Sequence, residues 1–116
     1  MGRDAPEWVE SLCRLPSRFQ AGGVSIRELV ELCAADLTGR HNATNLIRRR
    51  LAEEPQLVED WQTYSYDKRS SPSPYLDGRE VGYFDGTRRE VVNYDERLDA
   101  CADFIVREAR WVLGRT

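Results

Sequence analysis

The chain has 116 residues, a mass of 13.4 kDa and a net charge of −3 at neutral pH. A chain of this length builds one hydrophobic core, so we expect a single domain over residues 1–116. A hydrophobic fraction of 41% and a charged fraction of 32% exclude an intrinsically disordered chain and an integral membrane protein. The small acidic excess disfavours a nucleic-acid-binding protein, which would need a basic surface.

The cysteines and the start of the chain indicate where the protein works. Cys13, Cys33 and Cys101 are widely spaced and odd in number, which predicts free thiols in the core rather than a disulfide framework or a metal knuckle. Residues 1–10 lack the basic and apolar regions of a secretion signal, and no segment is apolar over the length of a membrane helix. We therefore expect a cytoplasmic protein that makes no membrane contact.

The chain begins with two predicted helices. The first occupies residues 6–15, and the second begins at the capping box of Ser25 and Glu28 and ends near Leu37. In both segments the apolar side chains recur at the spacing of one helix face. The sequence therefore predicts two helices, each with apolar residues on one face.

A proline separates the next two predicted helices. The third is capped by Asn42 or Thr44 and ends near Glu54, because a residue that precedes proline avoids helical geometry. Pro55 opens the fourth helix, which ends within residues 64–68. One face of this fourth helix is expected to be buried, and its residues are Leu57, Val58, Trp61 and Tyr64.

The Ser/Pro run at residues 70–74 ends the helical periodicity and predicts an extended loop. Beyond it, the turn pairs Asp77-Gly78 and Asp85-Gly86 separate short segments in which apolar and polar residues alternate. Alternation between closely spaced turns is typical of antiparallel strands. The sequence therefore predicts a three-stranded antiparallel meander.

The last predicted helix begins near Asp95 and ends at Gly114. It carries one apolar face, which we expect to cover the small sheet, since a sheet of this size needs a packed face to be stable. The predicted fold class is α+β, with a helical N-terminal half and a three-stranded meander packed against a C-terminal helix.

Reactive groups are sparse. The one histidine, His41, has no cysteine or second histidine near it in sequence, so neither a metal site nor a hydrolase triad is predicted. No glycine motif for phosphate binding occurs, and the acidic pairs fall at exposed helix ends. We therefore expect no catalytic residue, no metal and no cofactor, and a protein that is not an enzyme.

The segment from Trp61 to Tyr75 departs most from an ordinary composition, because it combines aromatic, charged and turn-forming residues. Such side chains dominate binding surfaces, since they bury a large area while keeping one polar end satisfied. An exposed strand edge near this segment could also accept a strand from another chain. In the opposing interpretation, Trp61 and Tyr64 belong to the core and Asp67 pairs with Arg69. The predicted partner-binding residues are Tyr64, Tyr66, Asp67, Lys68, Arg69, Tyr75 and Tyr83.

Two other functions stay open at the level of sequence. Residues 67–69 together with Tyr83 could line the polar pocket of a small enzyme or ligand-binding domain. The basic triplet Arg48–Arg50 could contact nucleic acid in a regulator. A solvated helix face, balanced by Glu53 and Glu54, explains the same triplet without nucleic acid.

Four short runs in the second half of the chain share a pattern with a known kind of protein. They are Pro55-x-Leu57-Val58-x-x-Trp61, Tyr64-Ser65-x-Asp67-Lys68-Arg69, Val81-Gly82-Tyr83 and Ala100-Cys101-x-x-Phe104-Ile105. Over roughly the last 60 residues the chain resembles small bacterial proteins of the toxin-immunity kind. The resemblance implies a cytoplasmic, non-catalytic protein that binds a cognate toxin domain and occludes its active site. The acidic charge suits a basic toxin, since opposite charges speed association.

Overall fold

The computed structural model describes residues 7–16, 43–67 and 73–114. In chain order the elements are α1 (Glu7–Cys13), α2 (Ala43–Glu53), α3 (Gln56–Asp67), β1 (Ser73–Asp77), β2 (Glu80–Phe84), β3 (Arg88–Asn93) and α4 (Arg97–Gly114). The strands form an antiparallel sheet in the order β1-β2-β3 that packs against α4, so the predicted α+β fold is confirmed. The predicted helix at residues 25–37 lies outside the described residues.

The boundary between α2 and α3 follows from the chemistry of proline. Glu54 and Pro55 lie between the two helices, as the restriction on the residue before proline predicts. The amide of Leu57 donates to the carbonyl of Glu54 at 3.0 Å, and that of Val58 donates to Pro55 at 3.0 Å. These short-range bonds satisfy amides at the start of α3 that have no partner within the helix.

One hydrophobic core joins the helices to the sheet, and Trp61 of α3 lies inside it with 1% of its surface exposed. Its ring meets the rings of Tyr64 and Phe104 edge to face, with centroids 5.1 Å and 5.9 Å away. Its indole N–H donates to the carbonyl of Cys13 at 2.9 Å, so the polar atom is satisfied inside the core. The four positions predicted to be buried on α3 are all buried, namely Leu57, Val58, Trp61 and Tyr64.

α4 is more deeply buried than a helix that only covers a sheet. It contacts α2 and α3 as well as β1 and β2, so it lies between the helical layer and the sheet. A helix covered from both sides needs a wider apolar stripe than the single face predicted from sequence. The buried stripe therefore includes Ala100, Phe104 and Val106 in addition to the predicted positions.

Two of the three cysteines lie in this core. Cys13 of α1 and Cys101 of α4 are buried thiols, as predicted. Burial is the main cause that raises the pKa of the Cys101 thiol, which keeps it protonated at neutral pH. Cys33 lies outside the described residues.

A buried guanidinium group fastens α1 to α2. Arg50 is 4% exposed, and it donates to Glu54 at 2.9 Å and to Glu10 of α1 at 3.2 Å. Arg14 donates to the same Glu54 carboxylate at 2.6 Å. The hydrogen bond from Arg50 lowers the pKa of Glu10 to about 2, and the one from Arg14 acts in the same direction against partial burial.

The basic triplet on α2 is therefore not a solvated face. Successive residues on a helix differ by about 100° in direction, so three in a row cannot share one face. Arg50 turns inward, while Arg48 donates to Glu96 at 2.6 Å and also contacts Asp99 of α4. Arg49 is exposed. The expectation of a solvated triplet is wrong for Arg48 and Arg50, which join α2 to its neighbours.

Candidate protein-binding surface

The outer edge of β1 is occupied by side chains of α3. The amide of Gln62 donates to the carbonyl of Leu76 at 2.7 Å and accepts from the N–H of Gly78 at 2.7 Å. The N–H of Leu76 donates to the hydroxyl of Ser65 at 2.8 Å. These side chains take the positions that a fourth strand would fill. The edge next to the Ser/Pro loop therefore cannot accept a strand, which corrects that part of the expectation from sequence.

The two faces of the sheet differ in character. Leu76 and Val81 are opposite each other and are buried against the core, at 1% and 0% exposed. Because successive side chains in a strand alternate between faces, Tyr75 of β1 and Phe84 of β2 lie on the side that turns away from the core. Arg88 of β3 pairs with Phe84 and lies on the same side. We call this side the outer face.

A glycine makes room for an aromatic ring on the outer face. Gly82 lies directly across from Tyr75, and a Cβ atom at Gly82 would come within 2.9 Å of the Tyr75 ring and of the carbonyl oxygen of Arg89. The ring of Tyr75 therefore lies against the bare backbone of β2. Any larger residue at this position would displace the ring.

Arg88 is held in place from several directions. Its guanidinium carbon lies 4.9 Å from the centre of the Tyr75 ring, within the range of a cation–π contact. It donates to Glu80 at 2.7 Å and to Asp77 at 3.3 Å. The hydroxyl of Tyr75 donates to the same Glu80 carboxylate. These contacts hold the Arg88 side chain against the sheet, although half of its surface is exposed.

The charges of this cluster are constant around neutral pH. Burial raises the pKa of Tyr75 to about 12, and the hydrogen bond to Glu80 adds to that shift. The hydrogen bonds from Tyr75 and then Arg88 lower the pKa of Glu80. Tyr75 therefore stays a neutral donor while Glu80 and Arg88 stay charged, which favours a fixed contact surface.

Exposed aromatic groups surround the cluster. Tyr66 at the end of α3 is 66% exposed, and its hydroxyl donates to Asp77 at 3.2 Å. Phe84 is 40% exposed. Together with Tyr75 and Arg88 they line a shallow hollow of about 230 Å³. The hollow is open to solvent and combines aromatic area with a fixed cation.

Of the predicted site residues, the structure brings Tyr66 and Tyr75 together on the outer face. Tyr64 is 8% exposed and donates to the carboxylate of Glu108 at 2.7 Å, so it belongs to the core and is inaccessible to a partner. Burial is the main cause that raises its pKa. Tyr83 lies on the other face of the sheet, where the centre of its ring is 5.2 Å from the centre of the Trp111 ring.

The remaining predicted site residues follow one another in the chain. Asp67 ends α3, and its side chain is outside the described part of the structure. Lys68 and Arg69 lie outside the described residues altogether. The sequence suggested a pocket lined by residues 67–69 and Tyr83. Of these four residues, the structure describes the side chain of Tyr83 alone.

Sequence reasoning missed Phe84 and Arg88 as site residues. The signal that could have found them is the turn at Asp85-Gly86, which joins β2 to β3. Strand residues that flank a short turn pair with each other, so Phe84 and Arg88 had to share a face. The contact of Arg88 with Tyr75 spans the whole sheet, and a single turn does not reveal it.

The described part of the chain contains neither a membrane-spanning helix nor a metal-binding cluster. Within residues 7–16, 43–67 and 73–114, no helix is long and apolar enough to cross a membrane. The same residues contain no group of three or more histidine, cysteine, aspartate or glutamate side chains placed to hold a metal ion. No protein-family model, curated protein or solved structure matches the chain.

Proposed function

We propose that this protein is a non-catalytic binding module of the immunity kind, which binds a cognate toxin domain in the cytoplasm and occludes its active site. The binding surface in this proposal is the outer face of the sheet. One observation carries it: Arg88 is fixed between the Tyr75 ring and two carboxylates, beside the exposed rings of Tyr66 and Phe84.

The rigidity of the cluster favours binding. Freezing a long, flexible side chain at an interface costs about 0.5–1.5 kcal/mol of conformational entropy. Arg88 has already lost this freedom in the free protein, because Glu80, Asp77 and Tyr75 hold it. Arginine and tyrosine are also among the residues that most often form the hot spots of protein interfaces.

The charge of the outer face indicates the kind of partner. The single guanidinium of Arg88 stands against the carboxylates of Asp77 and Glu80, which leaves one net negative charge at the centre of the surface. The whole chain is also acidic, with a net charge of −3. A basic toxin domain fits both, since complementary charge steers encounter and raises the association rate.

The nucleic-acid alternative finds less support. Arg48 and Arg50 make ion pairs with residues of α4 and α1, so neither side chain is free to contact phosphate without breaking them. Arg49 is the exposed member of the triplet. One exposed arginine in an acidic protein is a small electrostatic footprint for DNA or RNA.

Affinity capture from the native cell, with matched variants as bait, tests the proposal. Arg88→Ala should weaken binding of the captured toxin domain by about tenfold to a hundredfold, the range of an interface residue of central importance. Arg89→Ala is the control, because Arg89 is the next residue, lies on the other face and pairs with Asp85 at 2.5 Å. Isothermal titration calorimetry with the purified pair measures both affinities.

Inhibition of the toxin completes the test. Adding one equivalent of the wild-type protein should abolish the activity of the captured domain, while the Arg88→Ala variant should need an excess. Equal capture and equal inhibition by the Arg88→Ala and Arg89→Ala variants would contradict the proposed surface. A captured partner that keeps full activity in the complex would contradict the immunity role.

A further inference from the structure

A second surface lies on the opposite side of the sheet from the outer face. There the last turns of α4 and the sheet border an open groove of about 510 Å³. Tyr83 and Trp111 meet edge to face at its floor, with ring centres 5.2 Å apart. The groove is also lined by Arg107 and Arg110 of α4 and by Glu90 of β3.

The end of α4, at Arg107, Arg110 and Trp111, forms one wall of this groove. The hydroxyl of Tyr94, just after β3, donates to Asp103 at 2.6 Å. The same carboxylate accepts from Arg107 one turn later at 3.0 Å. Glu90 is the residue of β3 that lines the groove, and α4 makes its main sheet contacts with β1 and β2. An edge strand beside a helix is the geometry with which several domains bind an extended peptide.

The edge of β3 is open to such a peptide. All six residues of β3 are exposed, and within the described residues no strand pairs with its outer side. The N–H of Tyr94 donates inward to Arg79 at 2.9 Å. Because backbone groups alternate in direction along an antiparallel strand, those of Asn93 point outward, and the bulge at Glu90 interrupts this alternation before Val92. The backbone groups of Asn93 offer a donor and an acceptor that an added strand can use.

The charges along the groove indicate the chemistry of the occupant. Arg107 and Arg110 face the carboxylates of Glu90 and of Asp103, which pairs with Arg107, so Arg110 is the cation at the groove that no described carboxylate neutralises. Arg107 already contacts Asp103, whereas Arg110 is exposed and one helical turn further along. An acidic side chain would meet Arg110 first. Aliphatic side chains suit the rings of Tyr83 and Trp111.

We propose that the edge of β3 and the adjacent groove bind an extended segment of a partner protein in which acidic and aliphatic residues alternate. The segment adds a fourth strand beside β3, with its acidic side chains over Arg107 and Arg110. This surface is separate from the outer face, so the two proposals stand or fall independently. A second copy of this chain fits less well, because it would bring a second bulged β3 with the same charges to the edge.

A labelled octapeptide of alternating valine and aspartate is the probe, titrated against the full chain by fluorescence polarisation. Arg110→Glu should weaken its binding by about tenfold or more, which corresponds to the loss of one favourable charge contact and the gain of a repulsive one. Arg49→Glu, the same charge reversal at the exposed arginine of α2, should leave its affinity unchanged. An octapeptide with lysine in place of aspartate, and one with proline at its centre, should both bind at least tenfold more weakly.

Nuclear magnetic resonance locates the peptide. The valine-aspartate peptide should shift the amide signal of Asn93 and the indole signal of Trp111. The proposal is overturned if the lysine peptide binds equally well, if the shifts fall on Tyr75 and Phe84 instead, or if the peptide does not bind. It is also overturned if sedimentation shows that the chain dimerises with protection of the β3 amides, since the occupant is then a second copy.

Discussion

The two edges of the sheet differ in whether side chains cover their backbone groups. On β1, the N–H and carbonyl of Leu76 are bonded to Ser65 and Gln62 of α3, so a helix shields the edge with side chains. On β3, every residue is exposed. An unpaired strand edge is a template for another chain, and proteins usually cover it or place charges on it. The difference shows that side chains of a helix cover the edge at β1, whereas the exposed edge at β3 carries three charged residues and a bulge.

The packing of the two edge strands differs in the same way. β1 contacts both α3 and α4, whereas β3 contacts mainly β2. Segments with little buried apolar area contribute least to the free energy of unfolding and are those that can change partners. The side chains of Val91 and Val92, at 41% and 36% exposed, illustrate this for β3. Buried contacts therefore concentrate at β1, whereas β3 is exposed.

The largest expected effect tests the core behind the covered edge. Trp61→Ala should lower the free energy of unfolding by about 3–5 kcal/mol, because it leaves a cavity beside Tyr64 and Phe104 and removes the bond to Cys13. Urea denaturation followed by circular dichroism measures the loss. Val91→Ala on the open edge is the control and should change stability by less than about 0.5 kcal/mol. Similar losses of unfolding free energy in the Trp61→Ala and Val91→Ala variants would show that the two edges do not differ in stability.

The next effect concerns the helical layer that supports β1. Glu10→Gln should cost about 2–3 kcal/mol at pH 6, because it leaves the guanidinium of Arg50 with less compensation where it is 4% exposed. The pKa of Glu10 is lowered from 4.5 to about 2, so its stabilising effect is complete above pH 4.5 and is lost as the pH falls through about 2. Urea denaturation of both proteins across this range measures the difference.

The wild type and the Glu10→Gln variant should therefore converge in stability as the pH approaches 2. Glu53→Gln is the matched control, since Glu53 lies 3.8 Å from Arg50 and its side chain is 45% exposed. That variant should differ from the wild type by less than about 0.5 kcal/mol at pH 6. A constant gap between the Glu10→Gln variant and the wild type from pH 6 to pH 2 would mean that the charge of Glu10 is not the cause.

A smaller effect compares the edges directly. Gln62→Ala should lower the free energy of unfolding by about 2 kcal/mol, because it leaves the buried carbonyl of Leu76 and the N–H of Gly78 without this partner. Asn93→Ala at the open edge should change it by less than about 0.5 kcal/mol. Thermal and urea unfolding measure both. If Asn93→Ala proves as costly as Gln62→Ala, the edge of β3 is not open.

The smallest effect has the opposite sign. Glu90 lies at the bulge between β2 and β3 with φ at 51°, a left-handed conformation that costs a residue with a side chain about 1–2 kcal/mol. Glu90→Gly should raise the free energy of unfolding by about 0.5 kcal/mol, since the greater backbone entropy of unfolded glycine offsets part of the relief. Glu90→Ala retains the strain and serves as the control. Loss of stability in the glycine variant would show that the carboxylate, not the backbone, matters at this position.

Whether a residue of the outer face could be predicted from sequence depended on how far apart in the chain its contacts lie. Tyr66 and Tyr75 were found because aromatic composition within one segment is visible along the chain. Arg88 was missed, since its contact with Tyr75 depends on two strand registers at once. The sequence placed Tyr64 both on the buried face of α3 and among the partner-binding residues, and its burial decides for the core. Composition identifies residues suited to binding, but burial decides which of them a partner can reach.

The sequence by itself determined the elements and much of the core, because proline, glycine, caps and periodicity act over a few residues. It predicted the break before α3, the meander and the end of α4 at Gly114 for this local reason. Only the tertiary structure decided that α4 lies between two layers, that Arg50 is buried, and that Gln62 closes one sheet edge while the other stays open. Those features depend on contacts between residues far apart in the chain, which local preferences do not specify.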